Sequence, residues 1–220
     1  MESSQKEQKE QKEQISQPWF EKHRDNIRTV SIALILAFLL RTFIIEPRFI
    51  PSSSMEPTLL VNDRIIVEKV SYLLRDPQRG EIIVFYPPKS PAIEDNTKAY
   101  IKRLIGLPGD RISIHDGKVF VNDQALTENY IAEPPDYIFP NQAQNLESLS
   151  PSHNSQDTRG GSRYKSITVP QGYYWMMGDN RNSSNDSHIW GFLPRQNIIG
   201  RAFLRFFPFD NRIGELKTPK

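Results

Sequence analysis

Cysteine is absent from the 220 residues of this chain. That excludes disulfides, thiolate metal sites and a cysteine nucleophile, and leaves the redox compartment open. Histidine is scarce. His23, His115, His153 and His188 are scattered without the clustering that zinc sites need, so neither a metal nor another cofactor is expected. Charge of one sign is also lacking. The formal net charge is +2 and no long basic run occurs, so nucleic acid is not an expected partner. Helical periodicity is missing from most of the chain, and long hydrophobic runs are limited to one.

The residues before that run are polar. Positions 5–14 repeat Gln-Lys-Glu three times and then add Gln, which leaves no apolar face to bury. The tail 1–26 is therefore read as a solvated helix or a disordered segment. Two Ser-x-x-Lys matches, Ser3 with Lys6 and Ser162 with Lys165, lack an accompanying Lys-Thr-Gly run and are read as chance.

Ile27 to Ile45 is the apolar run, interrupted by Arg28, Thr29, Ser31, Arg41 and Thr42. As a helix at ~1.5 Å per residue it reaches roughly 28 Å, close to the ~30 Å of a hydrocarbon core. Arg28 and Arg41 lie near its ends, where long side chains reach the interface. No Ala-x-Ala-like site follows, because the chain continues Glu46-Pro-Arg-Phe-Ile-Pro51. The run 27–45 is thus expected to be an uncleaved transmembrane signal-anchor. Lys22, Arg24 and Arg28 give a weak vote for a cytoplasmic amino terminus. Phe43, Ile44 and Phe49 either dip into the bilayer or simply end the helix.

Residues 46–220 form the expected β-rich body. Arg64–Val70, Glu81–Tyr86, Arg111–His115 and Lys118–Asn122 are β-branched or alternating runs separated by Pro, Gly and Asp turn signals. Asp116-Gly117 between two of them predicts a two-residue hairpin. Ser166–Val169, Tyr173–Met177 and Ile198–Phe206 add further strands, and only Val70–Leu74 reads as a short helix. The pattern argues a mainly β, antiparallel domain. Between about 128 and 165 periodicity is lost, and this stretch is read as a peripheral polar insertion whose base Tyr130, Tyr137 and Phe139 pack.

Ser54 stands a few residues beyond the anchor, in Pro51-Ser-Ser-Ser-Met-Glu-Pro-Thr58. A serine needs a base to become a nucleophile. None of the histidines lies in a triad motif and no Gly-x-Ser-x-Gly elbow occurs. Lysine serves if burial lowers its pKa from ~10.4 towards ~7–8. Lys102, flanked by Tyr100, Ile101, Leu104 and Ile105, is the best placed, with Tyr100, Lys102 and Leu104 expected on one strand face.

Ser54-Met-Glu-Pro-Thr, Arg79-Gly-Glu-Ile-Ile-Val-Phe, Tyr100-Ile-Lys-Arg-Leu-Ile-Gly-Leu-Pro-Gly-Asp and Gly178-Asp-Asn-Arg-Asn-Ser-Ser-Asn-Asp-Ser follow one another behind the anchor. In this the chain resembles the type I, bacterial-type signal peptidases, and its single span resembles the cyanobacterial and plastid members. The resemblance implies an antiparallel β catalytic domain of signal-peptidase type. It implies Ser54 as nucleophile, Lys102 as general base, and Ser52 with the Ser54 amide as the oxyanion hole. It further implies Ser184 orienting the lysine, Asp186 supporting the site, and Asp179 and Arg181 in the same motif. His188 stands where the family often has arginine, which puts the Asp186 support in question. Ile50, Met55, Tyr100 and Ile101 are hypothesised walls of shallow substrate pockets, with substrate adding to a strand edge near Tyr100–Lys102.

The same resemblance implies exported preproteins cut after small residues in an Ala-x-Ala-like pattern. It implies the lipid bilayer and a secretion translocon as further partners. The body would face the periplasm or a thylakoid lumen, from the plasma (inner) or the thylakoid membrane. Two rival readings stay open. One is a self-cleaving Ser-Lys repressor, which the membrane span disfavours. The other is an inactive membrane-tethered β-domain that binds a protein partner.

Overall fold

The computed structural model describes residues 19–141 and 164–219. The first part of the tail, most of the polar insertion, and Ser3, Lys6 and Ser162 of the chance Ser-x-x-Lys matches lie outside these residues. The chain divides into a helical unit ending at Ile44 and a β unit from Ile45 onward.

In the helical unit, α1 spans Trp19–Leu39 and continues as wider helical turns over Leu40–Ile44. The stretch His23–Ile44 is long and apolar enough to cross a membrane, by length and composition. The helix starts upstream of the expected Ile27, because polar residues propagate a helix as well as apolar ones do. Thr29 Oγ1 donates to the Asp25 carbonyl at 2.8 Å within this segment. Ile45 is strand instead of helix, since it pairs with Glu68.

The β unit contains β1 (Ile45–Phe49), β2 (Arg64–Glu68), β3 (Ile82–Phe85), β4 (Tyr100–Gly106) and β5 (Arg111–His115). It continues with β6 (Lys118–Val121), β7 (Gln124–Ala125), β8 (Ile167–Thr168) and β9 (Tyr173–Met177). Last come β10 (Leu193–Pro194), β11 (Ile198–Phe207) and β12 (Gly214–Glu215). Two four-residue helices interrupt them, α2 (Ser71–Leu74) and α3 (Ser187–Trp190). One sheet has the order β1-β2-β11-β3-β4-β9-β10, with β12 on β11, and a smaller one runs β7-β6-β5-β8. Strand pairing among the described residues is antiparallel, as expected.

Local chemistry sets the hairpin β5–β6. Asp116 and Gly117 both have positive φ, 49° and 69°, the geometry whose twist matches the flanking strands. In the central strands side chains alternate between two cores. Ile83, Phe85, Leu104, Tyr174 and Met176 pack on one face. Ile82, Val84 and Ile101 pack on the other, with Ile50, Met55 and Leu59 from the loop after β1. Trp175 and Met177 instead meet the small sheet. β3 is consequently buried at every position, which explains its unbroken apolar run.

Candidate active site

The loop after β1 is tied at both ends before it presents Ser54. Ile50 N donates to the Asp63 carbonyl and Asn62 N to the Ile50 carbonyl, each at 2.9 Å. Ser53–Met55 then form one 3-10 turn, pinned by the fully buried Met55 and Leu59 side chains. The hydroxyl of Ser54 therefore sits on a fixed backbone.

Lys102 comes from β4, opposite Ile83 of β3. It is 4% exposed, and its Nζ lies 2.6 Å from Ser54 Oγ. Burial lowers its pKa from the ordinary 10.5 to about 8, while the carboxylates of Asp186 and Asp179 pull the other way. A lysine so placed can act as a base near neutral pH, and the group its amine meets is the Ser54 hydroxyl. Ser52 lies beside it on the exposed side, with its Oγ 3.3 Å from Ser54 Oγ.

Both Ser54 and Lys102 open on a cleft of about 340 Å³, walled also by Ser52, Tyr100, Ile101 and Asn185. Tyr100 and Ile101, hypothesised as pocket walls, thus line this cleft. Ile50 and Met55 do not: both are buried behind the wall, in the core cluster that holds Ile101. Their apolar side chains fill the core under the Ser53–Met55 turn. A wider cleft of about 640 Å³ over Tyr72, Tyr173 and Arg195 holds none of the expected site residues.

The loop from Gly178 to α3 supplies the other expected residues. Asp186 is fully buried and caps α3. Its Oδ2 accepts from Gly178 N at 2.9 Å, and its Oδ1 lies 2.7 Å from His188 Nδ1. Burial opposes the Asp186 charge, but the His188 contact and the Gly178 amide outweigh it and hold the carboxyl below the usual range. His188 thus contacts the Asp186 carboxylate directly through Nδ1. Ser184 is buried and approaches the Asp186 carboxylate, yet its hydroxyl lacks hydrogen-bond geometry to any described group.

Several residues that the sequence did not single out complete the surroundings. Asn180 N donates to the Ser54 carbonyl at 3.1 Å and its side chain to the Ser53 carbonyl at 3.2 Å. Arg103, next to Lys102, grips Asp179 through two bonds of 2.8 and 2.5 Å. Thr58, four residues after Ser54, donates to Asp179 Oδ2 at 2.6 Å. Asn180, Arg103 and Thr58 all lie inside or beside the quoted motifs, so their positions were visible there without their partners. Glu128, which no local signal marks, pairs with Arg181, and Tyr130, one of the residues expected to pack the base of the insertion, packs on Arg103. The opening residues of the insertion thus contact the loop from Gly178 and the strand of Lys102.

Residues 23–207 match the family described as "Signal peptidase, peptidase S26". The chain is 48% identical over 189 residues to the "Probable signal peptidase I-2" of Synechocystis sp., covering 86% of this chain and 75% of that one. It is 45% identical over 197 residues to signal peptidase I of Leptolyngbya laminosa, covering 89% and 84%. The thylakoidal processing peptidase 1 of Arabidopsis thaliana is 34% identical over 192 residues, covering 84% of this chain and 48% of that protein. The chain belongs to the S26 signal peptidases, and within them to the type I enzymes whose cyanobacterial and plastid members it resembles.

Proposed function

We propose that this enzyme removes amino-terminal signal peptides from exported preproteins by cutting after small residues in an Ala-x-Ala-like pattern, with Ser54 as nucleophile and Lys102 as general base. The observation that carries the reading is the 2.6 Å contact between Lys102 Nζ and Ser54 Oγ, made by a lysine that burial brings to a pKa of about 8.

In this mechanism the neutral Lys102 amine takes the Ser54 proton as Oγ attacks the scissile carbonyl. The oxyanion is met by the Ser54 amide and the Ser52 hydroxyl, donors of a kind that contribute about 3–4 kcal/mol. The Lys102 ammonium then protonates the leaving amine. In deacylation the lysine takes a proton from the water that attacks the ester carbonyl and returns it to Ser54 Oγ as the ester bond breaks, which releases the carboxyl product and restores the starting state. Tyr100 and Ile101 provide the wall against which small side chains fit, with Ile50 and Met55 stiffening it from behind. The Asp186 carboxylate favours the ammonium that forms on Lys102 as it takes the proton, and Ser184 would orient the amine once substrate enters.

The apolar helix supports anchorage in the plasma or thylakoid membrane, with a cytoplasmic amino terminus and the β unit on the trans side. Substrates with a membrane-inserted signal peptide fit such an anchorage. The test is cleavage of a synthetic preprotein by detergent-solubilised full-length protein, beside Ser54→Ala and Lys102→Ala. Cleavage after the small residue, abolished in both variants, is expected. Activity surviving Lys102→Ala would assign the base elsewhere. A folded wild-type protein without cleavage would favour the binding-domain reading.

A further inference from the structure

The opening of the polar insertion lies along the loop that carries Ser184 and Asp186. Glu128 and Arg181 form a two-pronged ion pair, with Nη1 to Oε2 at 2.9 Å and Nη2 to Oε1 at 2.6 Å. Both side chains are out of water, at 5% and 0% exposure. Asp136 N donates to Asn182 Oδ1 at 2.9 Å, and Asn182 Nδ2 donates to the Pro134 carbonyl at 3.0 Å. The Tyr137 ring stacks on His188 at 4.3 Å between centroids. Contacts therefore recur at 181, 182 and 188, matched in order by 128, 134–136 and 137.

Tyr130 links this edge to the strand of Lys102. Its hydroxyl donates to Glu128 Oε1 at 2.8 Å, and its ring faces the Arg103 guanidinium at 4.1 Å. Burial and the Glu128 charge raise the Tyr130 pKa, so the phenol stays a donor. Arg181 in turn acts on the site backbone. Its Nε donates to the Gly178 carbonyl at 2.9 Å, while Gly178 N holds Asp186 and the Gly178 α-carbon abuts Ser184 and the Ser54 carbonyl.

We propose that Glu128 is a positioning residue for signal-peptide cleavage: by fixing the Arg181 guanidinium it sets the Gly178 peptide, and through it the placement of Asp186 and Ser184 against Ser54 and Lys102. The proposal rests on the Ser54–Lys102 reading above. A plain surface ion pair would contribute little. This one is buried, made by two prongs, and directed at a backbone carbonyl one peptide away from the Asp186 contact. Small displacements of groups that orient a reaction cost large factors in rate.

The experiment measures kcat, KM, the pH profile and the melting temperature of the full-length protein in detergent, on a synthetic preprotein. Glu128→Gln is expected to lower kcat about tenfold or more with KM within about twofold, because the substrate cleft is walled by other residues. The acid limb of kcat/KM is expected to move by about half a unit as Asp186 shifts relative to Lys102. Glu128→Gln also leaves Arg181 charged and half-paired, which lowers the melting temperature. The double variant Glu128→Leu with Arg181→Met removes both charges. It should recover most of the melting temperature while kcat stays low, since the bond to the Gly178 carbonyl is gone.

Recovery of kcat together with the melting temperature in the double variant would overturn the proposal and leave the pair a purely structural one. So would a folded Glu128→Gln with wild-type kcat and pH profile. If Glu128→Gln does not fold, the double variant decides alone. Ser54→Ala and Lys102→Ala are run alongside, and activity in either would defeat the underlying dyad without reference to Glu128.

Discussion

A Cβ placed on Gly178 would lie 2.4 Å from the carbonyl oxygen of Ser54. The residue after β9 runs flush against the Ser53–Met55 turn, and only a hydrogen on its α-carbon fits between them. The same Cβ would meet Ser184 Oγ at 2.3 Å. Ser184 Cβ would lie at 2.6 Å as well, so turning the hydroxyl aside would not clear the space. The Ser54 carbonyl is fixed from the other side by Asn180 N at 3.1 Å.

Gly178→Ala must therefore push the turn and the loop apart. The expected outcome is a fall in kcat of about 100-fold, the scale for misplacing reacting groups by about an ångström. Stability should fall by about 1–3 kcal/mol, as overpacking typically costs. Steady-state cleavage and a denaturant titration on the same sample check both. Wild-type kcat in a folded Gly178→Ala protein would show that Ser54 and Ser184 need not be held this closely.

Legibility in the sequence follows the range of the interactions. The hairpin at Asp116-Gly117 is written locally, because two adjacent positive φ angles need residues that tolerate them. Tyr173–Met177 has strand composition that matches its limits in the fold. The face shared by Tyr100, Lys102 and Leu104 follows from strand alternation alone. Strand order is different in kind. β11 lies between β2 and β3 through pairings of residues more than a hundred positions apart, and no local pattern encodes those. Glu128 illustrates the other limit. In a polar, aperiodic stretch a carboxylate reads as solvated, and only its approach to Arg181 reveals a buried ion pair. Ile50 and Met55 flank Ser54 in sequence, yet the turn sends them into the core.

Lys102 imposes a cost on the folded state that depends on pH. Its pKa falls from 10.5 to about 8 on burial, so between those values the unfolded chain binds more protons than the native one. Stability contributed at this site therefore rises as pH increases from about 8 towards 10.5. Below about 8 the full penalty applies, on the order of 3 kcal/mol. Lys102→Met removes the charge and keeps the apolar stem. It is expected to melt above wild type at pH 7, with the advantage shrinking towards pH 10, and to cleave nothing. Wild-type kcat/KM should rise with pH through about 8 as the amine loses its proton. Equal melting temperatures at pH 7 would mean that the ammonium is not desolvated in the folded protein.

Ser184 separates stability from activity in the opposite sense to a packing residue. Its hydroxyl is buried without a hydrogen-bond partner among the described residues. An unsatisfied buried polar group costs about 1–3 kcal/mol. Ser184→Ala should accordingly leave the melting temperature unchanged or raise it. If the hydroxyl engages the lysine amine once substrate enters, the same variant loses kcat by about tenfold or more with little change in KM. A lower melting temperature would show that the hydroxyl is already bonded in the resting enzyme. Unchanged kcat would remove Ser184 from the mechanism and leave Asp186 and the Ser54 contact as the groups that aim Lys102. The combination of higher stability and lower activity is the expected result. It is what a site does when a polar group is kept for a partner it meets only during catalysis.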